Sequence, residues 1–246
     1  MNFQDFYEHC LPLSAGRTRQ AREYLDAHAT RFHRTYTTCA RNIPVGARIL
    51  SIGAGAAYVE SVLTTVLNAN VTIVDFPGML AAQAAQHAAF GFDTIAANIL
   101  EYEANQDLGR YDLVLSSEVV EHVPEAPSRH FSRFRPFLKA GGTFVVTTPN
   151  LANFRNIVRF ILQKSVLEAP ELSFAPVAFE NEGYHRREYM PGEIVTALEA
   201  NDMKVCDIRY TMNAPARVMR DYLFAPAERV VPRWRVTQIV SARALG

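Results

Sequence analysis

From residue 49 onward the chain alternates short runs rich in Val, Ile and Leu with stretches whose apolar residues recur every three or four positions, and few folds accommodate that rhythm. The runs are ILSI (49–52), VTIVD (71–75), DTIAA (93–97), YDLVLS (111–116) and GTFVVTT (142–148). Between the first three, AAYVESVLTTVLNAN and GMLAAQAAQHAAFG carry Ala, Leu and Val at helical spacing and end in Asn or Gly. Strand, crossover helix and strand in that order form a parallel unit, and its repetition gives an α/β doubly wound sheet with helices on both faces. KVCDIRY and WRVTQIVSARA supply two final strands. The connection between them, TMNAPARVMRDYLFAPAERVVP, has no readable period.

One domain of 246 residues is expected, in four parts. Residues 1–43 form a helical cap, with helical spacing through RTRQAREYLDAHATRFHRTY, and Pro44-Val45-Gly46 ends it. Residues 44–149 are the core, and the aromatic and arginine-rich 150–190 is a lid over the sheet. Residues 191–246 hold a helix, from about Pro191 to Ala200, and the closing strands. The 25 basic and 25 acidic side chains cancel, which removes the positive field that nucleic-acid binding needs. Cys10, Cys39 and Cys206 are far apart and lack a CxxC spacing, so neither a disulfide framework nor a thiolate zinc site is expected. The amino terminus has no apolar core of signal length, and nowhere do about 18 apolar residues run together. A cytoplasmic protein is expected, with no nucleic-acid and no membrane partner; a homodimer is left open.

The turn after the first strand is where such sheets bind ligands. Gly53 and Gly55, around Ala54, let the backbone bend sharply and approach a ligand, and the helix that follows offers free N–H groups. A dinucleotide fold wants a third glycine at position 58, which is Tyr58. Asp75, closing the second strand, is placed to accept both hydroxyls of a ribose, a role open to NAD and to adenosyl ligands alike.

Over roughly residues 45–210 the chain resembles the class I S-adenosylmethionine-dependent methyltransferases, in the small-molecule, sugar and natural-product O-methyltransferase group. ILSIGAGAA is similar to that family's glycine-rich first motif, VTIVDFPG to its ribose-binding second, and IAANILEYE to the third, whose polar residue faces adenine. YDLVLSSEVVEHVP and LKAGGTFVVTTPN resemble the fourth and fifth. The resemblance implies strand order 3-2-1-4-5-7-6 with the last strand antiparallel, S-adenosyl-L-methionine as cosubstrate, and contacts from Ser51, Gly53, Ala54, Gly55, Tyr58, Asp75, Phe76, Asn98, Ile99 and Ser116. Three positions depart from the family pattern. Ser51 stands where an acid is usual, Ala57 where a third glycine is usual, and Asn98 where an aspartate is usual.

SSEVVEHVP spaces Glu118, Glu121 and His122 at i, i+3 and i+4; as a helical turn it would set all three on one face beside the cosubstrate. Three readings stay open. Glu121 and His122 cap and pack the turn; or His122 is the general base for an acceptor hydroxyl, with Glu118 and His185 in support. In the third, Glu118, Glu121 and His122 hold a divalent metal together with His185 of GYHRREYMPGEI, as the resemblance to metal-dependent O-methyltransferases implies. In the lid, Phe154, Ile157, Val158, Phe160, Ile161 and Leu162 read as a helix's buried stripe. Arg155, Arg186 and Arg187 read as solvated or ion-paired, and His9, His28, His33, His87 and His130 as surface or core residues. The activity expected is methyl transfer to a hydroxyl oxygen, less often to nitrogen. An NAD-dependent oxidoreductase and a non-catalytic binding protein of the same fold are the alternatives.

Overall fold

A computed structural model describes residues 1–14, 19–102, 110–167, 185–212 and 219–246. Seven strands form one sheet: β1 (Arg48–Ile52), β2 (Asn70–Asp75), β3 (Asp93–Ala96), β4 (Tyr111–Ser117), β5 (Leu138–Pro149), β6 (Met203–Thr211) and β7 (Thr237–Ala244). Their order is β3-β2-β1-β4-β5-β7-β6. All pairs are parallel except those of β7, which runs antiparallel to both β5 and β6. The doubly wound class and the implied strand order both stand.

Alternation along the strands explains the two-sided core. Leu50, Ile52, Val114 and Val146 face one way, packed with Phe131, Phe134, Ile194 and Leu198. Those partners come from α5 (Pro127–Phe134) and α7 (Pro191–Glu199). Ile49, Leu113, Leu115 and Val145 face the other way, against Phe6, Leu25, Phe32, Val62 and Leu63. These belong to α1 (Phe3–Ser14), α2 (Arg19–Ala40) and the crossover helix α3 (Tyr58–Leu67). The amino-terminal helices, expected as a cap, are walls of the core. The second crossover helix is α4 (Pro77–Ala89), the segment expected to form a lid begins with α6 (Phe154–Ile161), and the connection without a readable period carries α8 (Met219–Val230). Cys10, Cys39 and Cys206 are free thiols. Among the described residues no helix is long and apolar enough to cross a membrane.

Candidate functional site

The chain leaves β1 through three left-handed residues, Gly53 at φ +63°, Gly55 at +52° and Ala57 at +49°. A Cβ on Gly53 would lie 2.8 Å from Val119 Cγ2, so space as well as torsion requires glycine there. Gly55 has open space around it, and torsion alone favours glycine. Ala57, at the family's third-glycine position, adopts the same torsion at a cost of about 1 kcal/mol. The turn is clamped from α4: Gln86 Nε2 donates to the Ala56 carbonyl, and His87 Nε2 sits 3.1 Å from that of Gly55. His87, read as a surface or core residue, is thus buried against the glycine turn. Asp75 is 4 % exposed and accepts the Phe76 N–H at 2.8 Å. Burial raises its carboxyl above the usual range, partly offset by the Phe76 and Gly55 N–H groups.

Above this turn opens a cavity of about 880 Å³, of cosubstrate size. Gly53, Ala54, Gly55, Tyr58 and Glu118 line it, with Tyr24, Arg31 and Phe32 from α2, Glu60 from α3 and Ser117 from β4. Ser51, Asp75, Phe76, Asn98, Ile99 and Ser116 are not on its wall. Asn98 Oδ1 accepts the Leu100 N–H at 3.0 Å, closing a local turn beyond β3. Ser116 points to the opposite face, its Oγ 3.1 Å from Nε2 of the buried His130, whose imidazole burial pushes down to about 3. The alternation of β4 makes Ser117 the wall residue instead. The Ser51 hydroxyl lies behind the wall and donates to Glu60 Oε1 at 2.5 Å. Tyr58 is buried, its ring 5.2 Å from that of Phe32.

Beyond β4 the expected helical turn does not form: residues 118–126 are turns and bends. Glu118 takes φ +56° and donates its N–H to the Thr147 carbonyl at 2.9 Å, which throws its side chain toward the cavity. There Oε1 accepts from Thr147 Oγ1 at 2.8 Å and Oε2 from Arg31 Nη1 at 2.8 Å. Burial works against the Arg31 charge; Glu118 and Tyr24 outweigh it and raise its pKa.

Glu121 takes a different course from Glu118. It is 0 % exposed, its Oε2 accepts from Thr148 Oγ1 at 3.0 Å, and among the described residues Oε1 has no partner. Burial, then the Glu118 charge, pushes its carboxyl well above the usual range. The His122 ring lies 5.0 Å from that of His185, edge to face. The Arg186 and Arg187 N–H groups donate to the Glu121 carbonyl at 2.8 and 3.2 Å, and these bonds bring His185 in from a segment far along the chain. Donor atoms of Glu121, His122 and His185 all lie within 4.8 Å of one another. Three of the four expected ligands therefore converge, and Glu118 does not join them.

The lid helix also differs from expectation. Asn153 caps α6, accepting the Asn156 N–H at 3.0 Å, and Asn156 Nδ2 donates to Glu188 Oε2 at 2.8 Å. These bonds turn a polar face inward, so Phe160, Ile161 and Leu162 are exposed. Phe154 of that stripe stacks on Trp234, ring centroids 5.2 Å apart. Arg187 pairs with Glu193 and lies over the Tyr189 ring at 5.3 Å. Most of the rest of the expected lid, residues 168–184, lies outside the described residues.

A methyltransferase-domain family model matches residues 18–206. The ubiquinone biosynthesis O-methyltransferase of Bradyrhizobium sp. (strain ORS 278) is 35% identical over 125 residues, covering 51% of this chain and 48% of that protein. The chain spans about half the length of the curated relatives it matches. Among solved structures, the Haloferax volcanii protein in complex with the Trm112 methyltransferase activator superposes with a TM-score of 0.65 at 15% identity, covering 97% and 98% of the two chains. A SAM-dependent methyltransferase of Methanosarcina mazei gives 0.59 at 14% identity over 85% and 97%. At these identities the two structures speak to the fold.

Proposed function

Because the chain belongs to the methyltransferase-domain family, and within it to the class I S-adenosylmethionine-dependent methyltransferases, we propose that it moves the methyl group of S-adenosylmethionine to a hydroxyl oxygen of a small acceptor such as a sugar or natural-product intermediate. The observation that carries this reading is the glycine turn under an 880 Å³ cavity with Asp75 closing the neighbouring strand. The adenosyl group lies along that turn with its ribose hydroxyls on Asp75, and its amino-acid end enters the cavity toward Arg31. The acceptor approaches from the side of His122. As oxygen attacks, the O–C bond forms, the C–S bond breaks with its electron pair retained by sulfur, and the hydroxyl proton passes to the His122 imidazole. The sulfonium is already activated, so alignment in a dry pocket supplies much of the rate. The named relative acts in ubiquinone biosynthesis, which supports an oxygen acceptor.

Titration calorimetry with S-adenosylhomocysteine tests the pocket. The unaltered chain binds it, and Asp75→Ala weakens binding by about 100-fold or more, as removal of two charge-assisted hydrogen bonds implies. Unchanged binding in that variant overturns the pocket.

A second reading is favoured by the orphaned Glu121 Oε1 beside two imidazoles. Glu121, His122 and His185 suit a Mn, Fe, Co or Zn ion better than Mg. Such an ion, when bound, supplies a Lewis acid that lowers the acceptor hydroxyl's pKa. Elemental analysis of purified protein, with transfer assayed before and after chelation, separates the two readings; full activity in metal-free buffer removes the second.

A further inference from the structure

Position 51 lacks the acid that its family places there, yet the space beyond Ser51 is not without one. Glu60, on the first turn of α3, brings Oε1 to within 2.5 Å of the Ser51 hydroxyl. We infer that Glu60, carried on the helix and aimed by Ser51, receives the ammonium group of the cosubstrate's amino-acid end, in place of an acid on β1. The inference rests on the adenosyl site proposed above and names the partner of one group within it.

Three observations carry it. Glu60 is 3 % exposed and lies on the cavity wall, so the little surface it keeps is surface a ligand can reach. Among the described residues no cationic side chain pairs with it; Ser51 is its side-chain partner. A buried carboxylate lacking a counter-charge is unfavourable by itself, and a bound cation reverses that balance. The flanking groups cannot supply the cation. Cys10 on α1 and Cys39 on α2 are buried thiols, Cys10 pushed up to about 12 and Cys39 higher, by burial first and the Glu60 charge second. Both stay neutral thiols at working pH. Burial likewise raises the Glu60 carboxyl, with the Ser51 hydrogen bond opposing.

The opposite charge is provided elsewhere on the same wall. Arg31 is held there by Glu118 and Tyr24, so the cavity presents a carboxylate and a guanidinium from different elements. An α-amino acid end carries one ammonium and one carboxylate, and this pair of walls matches both. A merely structural Glu60 would hold the Ser51 hydroxyl and be indifferent to what lies in the cavity.

Two ligands of the full chain separate these roles: S-adenosylhomocysteine, which has the amino-acid end, and methylthioadenosine, which lacks it. Glu60→Gln keeps the shape and a hydrogen bond to Ser51 while removing the charge. It is expected to weaken S-adenosylhomocysteine by about 10- to 100-fold and to leave methylthioadenosine within about twofold. The double exchange Ser51→Asp with Glu60→Ser, which returns the acid to the strand, is expected to restore most of the loss. Equal weakening of both ligands, no weakening of either, or no restoration by the exchange overturns the inference. Absence of binding by the unaltered chain overturns the adenosyl site itself, and this inference with it.

Discussion

The turn after β1 and the turn after β4 solve the same local problem and end with different chemistry. Each leaves the sheet through left-handed backbone, at Gly53, Gly55 and Ala57 in one and at Glu118 in the other. Each buries a carboxylate whose side-chain hydrogen-bond partner among the described residues is a hydroxyl: Ser51 for Glu60, and Thr148 for Glu121. Both carboxyls are raised by burial. What differs is the company. Glu60 faces a wide cavity with neutral thiols behind it, whereas Glu121 faces two imidazoles across less than 5 Å. An organic cation suits the first setting, and a metal ion or a proton in transit suits the second. Burial acts on both carboxyls in the same direction and leaves function to the neighbours.

The largest effect that sharpens this contrast is at Glu121. Glu121→Gln is expected to lower Mn(II) or Zn(II) affinity by about 100-fold, since a neutral amide replaces an anionic ligand. S-adenosylhomocysteine binding should stay within about twofold, because the two clusters share no ligand group. Calorimetry with metal and nucleoside in separate titrations reads both. Loss of nucleoside binding in this variant would merge the two regions into one site and break the comparison.

The two turns also touch, and a pair of glycine variants measures how tightly. Gly53→Ala would drive a Cβ against Val119 of the β4 turn while forcing alanine to φ +63°. Its expected loss of stability is about 2–3 kcal/mol, from overpacking added to backbone strain. Gly55→Ala has only the torsion to bear, about 1 kcal/mol. Denaturant unfolding of both variants gives the difference directly. Equal losses would mean that Val119 gives way and the turns move independently.

Much of this architecture was legible in the sequence because its signals are local. Strand runs, crossover periodicity and the Gly53/Gly55 turn each occupy a few consecutive residues, and the sheet follows from them. The direction of the Glu118 side chain is not legible, for the same reason that the strands are. Spacing at i, i+3 and i+4 predicts a shared face only if the backbone is helical, and a left-handed torsion at a non-glycine residue leaves no mark in the sequence. Ser116 and Ser117 were one register apart, and only pairing to β1 and β5 fixes which faces the cavity. Arg31 sits 87 residues from its partner Glu118, so no motif could join them. Glu60 lies nearer to the motif, five residues past Gly55 and nine past Ser51, in the first turn of α3.

The smallest effect concerns Ala57 and bears on how far this chain has moved from its family. The backbone at Ala57 keeps φ +49°, the torsion that the family's third glycine would hold without strain. Its side chain is buried in the core cluster that also holds Phe32, Tyr58 and Val62, so the methyl contributes packing while the torsion opposes it. Relief of a left-handed alanine is worth about 1 kcal/mol, and the methyl's burial returns part of that. Ala57→Gly is therefore expected to stabilise the protein by roughly 0.5 kcal/mol, a rise in melting temperature of about 1–2 °C. Differential scanning calorimetry resolves a shift of that size. A fall instead would mean that the methyl is part of the packing that holds α2 against α3, and that the β1 turn has been rebuilt around alanine as it has been around Glu60.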